Sequence, residues 1–157
     1  MEQKFDLKSF KIDPFFGVDC KYRLSETENE VTTEQDFHVK ISRPIHADLE
    51  NLFLRDLRRI LAEIINTTED LADIDLGRSR LFPTGISFAG KDDNVGILIY
   101  GERHTKFGRI KFKTPRIKYL TGESDMCAEL TKFADAVKAE IQAYLFESKS
   151  AELEVFE

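Results

Sequence analysis

Tryptophan is absent from this chain of 157 residues, and cysteine, methionine and proline number only 2, 2 and 4. Two cysteines, Cys20 and Cys127, cannot supply the dense cross-links on which small secreted scaffolds depend. With 8 glycines and 4 prolines, collagen-like and low-complexity chains are excluded as well. No apolar run approaches the roughly 18 residues of a membrane span. The opening Met1-Glu2-Gln3-Lys4-Phe5-Asp6 lacks the apolar stretch of an export signal. These absences lead us to expect two reduced thiols in a cytoplasmic protein without a membrane partner. Catalytic signatures are lacking too: there is no GxSxG, GxxxxGK[ST], HExxH or CxxC. The expectation is a protein that is not an enzyme and needs no cofactor or metal.

What the chain does have is periodicity. Over 46–65, Leu49, Leu52, Phe53, Leu57, Ile60, Leu61, Ile64 and Ile65 recur at spacings of three and four, the stripe of an amphipathic helix. Met126, Leu130, Phe133, Val137, Ile141, Tyr144 and Leu145 do the same over 123–146, with Thr121 or Ser124 as the cap. Elsewhere the period is two. Val18, Cys20, Tyr22 and Leu24 alternate with polar residues over 17–24, as do Phe37, Val39 and Ile41 over 36–41. Phe10 and Ile12 suggest a strand before Pro14. Segments 84–90 and 95–101 flank the polar turn Lys91-Asp92-Asp93-Asn94, and 108–114 forms a last strand that Pro115 either ends or marks as an edge.

The pattern predicts one α+β domain over 1–157: a mainly antiparallel sheet of about six strands with two long helices on one face, in the order βββα-βββα. Segments 7–66 and 81–147 repeat that pattern, as a duplication would, but no residues match between them, and chance accounts for it equally. Glu26, Glu28, Glu30 and Glu34 are read as one polar loop, and 148–157 as an acidic C-terminal tail.

Few side chains group into chemistry. His38, His46 and His104 show no ligand spacing and are expected in local hydrogen bonds or solvent. The acidic stretch 69–75 lacks the alternating ligands and central glycine of a calcium loop. Asp92 and Asp93 would pair as acid and base, but aspartate is also what a tight turn favours.

Charge is distributed less evenly. Residues 102–118 hold Arg103, Lys106, Arg109, Lys111, Lys113, Arg116 and Lys118 against Glu102, a net +6 that leaves −12 for the other residues of a chain totalling −6. Strand parity puts Arg109, Lys111 and Lys113 opposite in direction to Ile110 and Phe112. If the latter face the core, the cations line the open sheet face with Lys21, Arg23 and Lys40, where the only acidic neighbours expected are Asp19 and Asp36. Leu98 and Tyr100 emerge on the same face. An aromatic among cations suits base stacking with phosphate contacts. The expected ligand is therefore single-stranded nucleic acid or a nucleotide, with Arg103, Lys106, Arg116 and Lys118 extending the positive edge. An exposed Leu98–Tyr100 pair equally suits a protein interface, either a homodimer or a host protein that the chain inhibits. A third reading has Phe15-Phe16 covering the pair.

The stretch Thr84-Gly85-Ile86-Ser87-Phe88-Ala89-Gly90-Lys91-Asp92-Asp93-Asn94-Val95-Gly96 with Thr114-Pro115, and the helix end Tyr144-Leu145-Phe146-Glu147-Ser148-Lys149-Ser150-Ala151, resemble a group of small bacteriophage and prophage proteins from Bacteroidetes-type hosts. The group has no established activity. The resemblance implies a phage origin, a host-cytoplasmic setting and action by binding, and it carries over no catalytic residue.

Overall fold

Asn29 and Glu30 both adopt positive φ, 52° and 66°. Two such residues in succession make a tight turn whose twist matches that of the flanking strands. They join β2 (Gly17–Glu28) to β3 (Val31–Ile41), which pair from Val18↔Ile41 to Glu28↔Val31. The glutamates read as a polar loop therefore lie in or beside this hairpin. Its outer half shows no alternation because both of its faces are wet; even Val31 is 65% exposed.

The computed structural model of the chain describes residues 2–13, 17–65, 80–90, 94–120 and 124–147. Phe15 and Phe16, the acidic stretch 69–75, Asp92 and Asp93, and the segment 148–157 lie outside the described residues. The architecture is α+β. Strands β1 (Glu2–Asp13), β2, β3, β4 (Leu81–Ala89), β5 (Gly96–Thr105) and β6 (Gly108–Lys113) form an antiparallel sheet in the order β3-β2-β1-β4-β5-β6. A short β7 (Ile117–Lys118) pairs with β5 and brings the strand number to seven. β6 stops at Lys113, short of Pro115, and the chain turns into β7 at Ile117. Thr114 bridges the bend, its N–H donating to Ile99 O at 3.0 Å and its hydroxyl accepting from Ile99 N–H at 3.0 Å. The hydroxyl thus satisfies a donor of β5 that would otherwise be stranded between two edge strands.

Helix α1 runs Ala47–Asn51, passes through a π-helical stretch Leu52–Leu57 and continues over Arg58–Ile64. His46 caps it, its Nδ1 accepting from Asp48 N–H at 3.0 Å. Helix α2 (Asp125–Phe146) starts at Ser124, whose hydroxyl accepts from Cys127 N–H at 3.2 Å. Phe53 of α1 meets Phe10 of β1 at 5.6 Å and Phe133 of α2 at 6.5 Å. At the far end, Phe146 packs edge-on against Phe5 and Tyr22. Arg43, ahead of α1, stacks on Tyr144 at 4.4 Å and donates to its carbonyl, while the Tyr144 hydroxyl donates to Arg43 O. These contacts tie the linker before α1 to the end of α2.

The two halves of the sheet join through β1 and β4, which pair only at Ser9↔Ser87, Phe10↔Ile86 and Lys11↔Gly85. Gly85 is required there, since a Cβ would stand 2.9 Å from Phe10 O and 2.7 Å from Lys11 Cγ.

Cys20 is fully buried in β2, and burial, with a smaller effect of Asp19, pushes its thiol from 9.0 up to about 12. Below pH 9 the thiol is protonated in both folded and unfolded chains and contributes no pH dependence. Between pH 9 and 12 the unfolded chain has released the proton and the folded one has not, so stability falls as pH rises, by up to about 1.4 kcal/mol per pH unit. Cys20→Ala is expected to flatten that alkaline decline. Denaturant unfolding at pH 8, 9.5 and 10.5 measures it; an unchanged slope would assign the effect to Tyr22 and Tyr119, whose hydroxyls are also shifted upward by burial.

Candidate functional site

Strand register decides which side chains share a side. The rung Lys11↔Gly85↔Tyr100↔Lys113 crosses four strands. Next to it, Glu102 stands opposite Lys111 and His104 opposite Arg109. Arg109, Lys111 and Lys113 therefore lie on the side of Tyr100 and Lys11. Lys11 is opposite Asp19 and Asp19 opposite Lys40, while Lys21 and Arg23 follow at the alternate positions of β2. Arg103 departs from the expected group: it is opposite Ile110 and so points to the other side. Ile110 itself is 56% exposed, because β6 is the last strand of the sheet; it does not face the core as its parity suggests.

One side does not mean one patch. Lys21 on β2 and Lys111 on β6 are four strands apart, about 19 Å at ordinary strand spacing. Among the early cations, Arg23 is also engaged by acids. Arg23 Nε donates to Asp36 at 2.7 Å, and its Nη1 lies 3.4 Å from Glu34. The bond from Arg23 holds the Asp36 carboxyl below its ordinary range and raises Arg23 in turn. His38 Nε2 is 2.6 Å from Asp19. The expectation of Asp19 and Asp36 as sole acidic neighbours is corrected: Glu34 reaches Arg23 because the hairpin runs on past it, and Asp6 stands opposite Arg23 on β1. A hollow of about 340 Å³ borders Lys21 and Arg23 but shares its walls with Asp36.

The later cations border a larger space. Past Lys11 and Gly85, no further pairing joins β1 to β4, and a cleft of about 700 Å³ is lined from both strands. Lys11, Phe82, Tyr100, Glu102, His104, Arg109 and Lys111 line it, and Ile45, Glu50 and Leu54 close it from the segment before α1 and from α1 itself. The Lys11 ammonium sits 4.5 Å above the Tyr100 ring, an arrangement attractive to a cation through the ring's negative face. Phe82 and His104 stack at 4.4 Å with a 34° tilt, and the Arg58 guanidinium lies 4.6 Å from Phe82. Glu102 reaches His104 Nε2 at 3.4 Å and Arg109 Nη1 at 4.0 Å. Three cations (Lys11, Arg109, Lys111) and three acids (Asp19, Glu50, Glu102) thus line one space.

Of the residues expected to act together, the cleft gathers Tyr100, Arg109 and Lys111. Lys113 is beside Tyr100 on the rung without lining the cleft. Leu98 is half-buried two residues away, and Tyr100 is half-buried beneath Lys11, with its hydroxyl 3.4 Å from Ser87 Oγ. Arg116 and Lys118 are exposed along β7, the Arg116 stem lying where a Cβ on Gly96 would be. Lys106 stands in the turn before β6, 5.1 Å over Phe107. The sequence reading missed Lys11, Phe82, Glu102 and His104. Lys11 carried a signal, a cation between Phe10 and Ile12; Phe82 carried none, since the strand pattern was read from residue 84.

Among the described residues there is no group of three metal-ligating side chains and no helix long and apolar enough to cross a membrane. No family model, curated protein or solved structure matches the chain.

Proposed function

We propose that this chain is a non-enzymatic binding module that takes a nucleotide in the cleft lined from β1, β4, β5 and β6, in the host-cytoplasmic setting that its phage-like sequence implies. One observation carries the reading: Lys11 poised over Tyr100, with Arg109 and Lys111 on the same side in the same cleft. The Lys11 ammonium rides on a flexible stem, so it can swing to a phosphate and free the ring for a base. Arg109 supplies a planar fork for phosphate oxygens and Lys111 a point charge. Asp19, Glu50 and Glu102 accept hydrogen bonds from sugar hydroxyls or exocyclic amines, a use for acids that a plain polyanion would not have. A space of about 700 Å³ falls in the range of small-molecule sites. Helix contacts support a cation side left uncovered except at the cleft, where Glu50, Leu54 and Arg58 of α1 reach it. Phe53 on Phe10, Phe146 on Tyr22 and Lys138 over Phe88 all engage residues of the opposite parity to Tyr100.

A nucleotide is favoured over single-stranded nucleic acid because Arg23 on β2 is engaged by Glu34 and Asp36, the later cations border one cleft, and the whole chain carries −6. Calorimetric titration with adenosine and guanosine triphosphates at low and moderate salt tests the reading. Binding that weakens as salt rises is expected. Arg109→Glu combined with Lys111→Glu should weaken it roughly 100-fold or more, the worth of two charged hydrogen bonds. No heat for either nucleotide at low salt, or binding indifferent to the double reversal, rejects the proposal.

A further inference from the structure

β6 is the last strand of its side of the sheet, and its outer edge is unpaired among the described residues. Hydrogen-bond parity tells which backbone groups that edge offers. Gly108 closes a two-residue turn opposite Thr105, and Thr114 N–H donates to Ile99 O. Even-numbered residues of this strand therefore turn their N–H and C=O toward β5, and Arg109, Lys111 and Lys113 turn theirs outward. Side chains are sorted as strictly, with three cations on one side and Ile110 and Phe112 on the other. Ile110 is 56% and the turn residue Phe107 89% exposed. Lysines on an edge repel a second basic strand. By the same charge they select a strand that is acidic on that side and apolar on the other.

The chain's own sequence contains such a strand. In 151–157, Ala-Glu-Leu-Glu-Val-Phe-Glu, Glu152 and Glu154 occupy one parity and Ala151, Leu153 and Val155 the other, an alternation that runs to Val155 before Phe156 and Glu157 reverse it. Laid along β6, the glutamates would meet the cations while Leu153 and Val155 meet Ile110 and Phe112, the cross-strand pairs that stabilise a sheet. We propose that the outer edge of β6 is a docking site for residues 151–157 of a second copy of this chain, added to the sheet as a further strand.

Reach assigns the segment to a second copy. Phe146 packs on Phe5 and Tyr22. From Phe5, the lane outside Lys113 is six residues along and four strands across, about 28 Å. The six residues from Phe146 to Glu152 span at most about 21 Å. The nearer edge, β3, is exposed but sets Glu34 and Asp36 beside His38 and Lys40 where the acidic side of the segment would lie, whereas β6 offers three cations and no acid. This inference shares Arg109 and Lys111 with the nucleotide reading but does not rest on it, since the added strand is held by the outer backbone edge of β6, and self-association is read without nucleotide.

Sedimentation velocity of the intact chain over a range of concentrations tests it. The chain is expected to self-associate, and Glu152→Lys with Glu154→Lys to weaken association at least tenfold. Lys111→Glu with Lys113→Glu should weaken it equally, and the four changes together should restore it. A labelled peptide of residues 148–157 is expected to bind the Glu152→Lys/Glu154→Lys chain. The same peptide N-methylated at alternate residues, or scrambled, should bind at least tenfold more weakly. A monomeric intact chain, no restoration in the fourfold variant, or equal binding of the N-methylated peptide overturns the proposal.

Discussion

Phe53→Ala is expected to cost about 3–5 kcal/mol of stability. Phe53 is fully buried, and its ring is the point where β1, α1 and α2 meet, through Phe10 at 5.6 Å and Phe133 at 6.5 Å. Truncation removes the transfer energy of the ring and leaves a hole bounded by a sheet and two helices, none of which can close it alone. For a chain of this size the loss lowers Tm by about 10 °C or more. Leu54, one residue on, is 38% exposed, and Leu54→Ala should change stability far less. Scanning calorimetry of the two variants reads the contrast directly. Comparable losses would mean that the π-helical stretch 52–57 does not turn Phe53 inward while leaving Leu54 at the surface.

Periodic burial was legible in the sequence, and everything that depends on its absence was not. The stripe from Leu49 to Ile65 locates α1 to within a residue or two, because each member pays a desolvation cost if the helix slips. The π-helical stretch within it leaves no such trace, since Leu49, Phe53, Leu57 and Leu61 keep a spacing of four either way. Strands 17–24 and 36–41 were read only where one face is packed. Their extensions, to Glu28 and back to Val31, are held by backbone pairing with both faces wet. The signal there was local: Asn29, a residue that tolerates left-handed backbone, between two β-forming stretches. β7 was missed because Pro115 reads as a terminator, and the hydroxyl of Thr114 that bridges the bend acts only in three dimensions. The cleft is illegible for the same reason. It exists because β1 and β4, more than seventy residues apart along the chain, pair at three positions and no further. Parity foretold that Tyr100, Arg109 and Lys111 share a side. It carried no information on the distance to Lys21 or on which cations would be taken by acids.

Tyr100→Ala is expected to weaken nucleotide binding by about 5- to 150-fold, the 1–3 kcal/mol that stacking one base on an aromatic ring contributes. Inorganic pyrophosphate, which offers the same oxygens without a base, should lose little. Tyr100→Phe should retain the nucleotide affinity, because the hydroxyl has only the 3.4 Å contact to Ser87 to give up. Arg109→Glu with Lys111→Glu should weaken binding of both ligands roughly 100-fold or more, since both depend on the cations. The contrast separates two roles for the ring. Tyr100 holds the Lys11 ammonium 4.5 Å over its face in the free protein, so removing it also releases a phosphate-binding cation. If that support were its main contribution, pyrophosphate and nucleotide would weaken together in Tyr100→Ala, and Lys11→Met would reproduce the loss for both. Stacking predicts instead that Lys11→Met lowers affinity for both ligands while Tyr100→Ala lowers it for the nucleotide alone. Competitive titration of the two ligands against each variant distinguishes these outcomes, and a Tyr100→Ala chain that binds both as the unchanged protein does would remove the cleft from consideration.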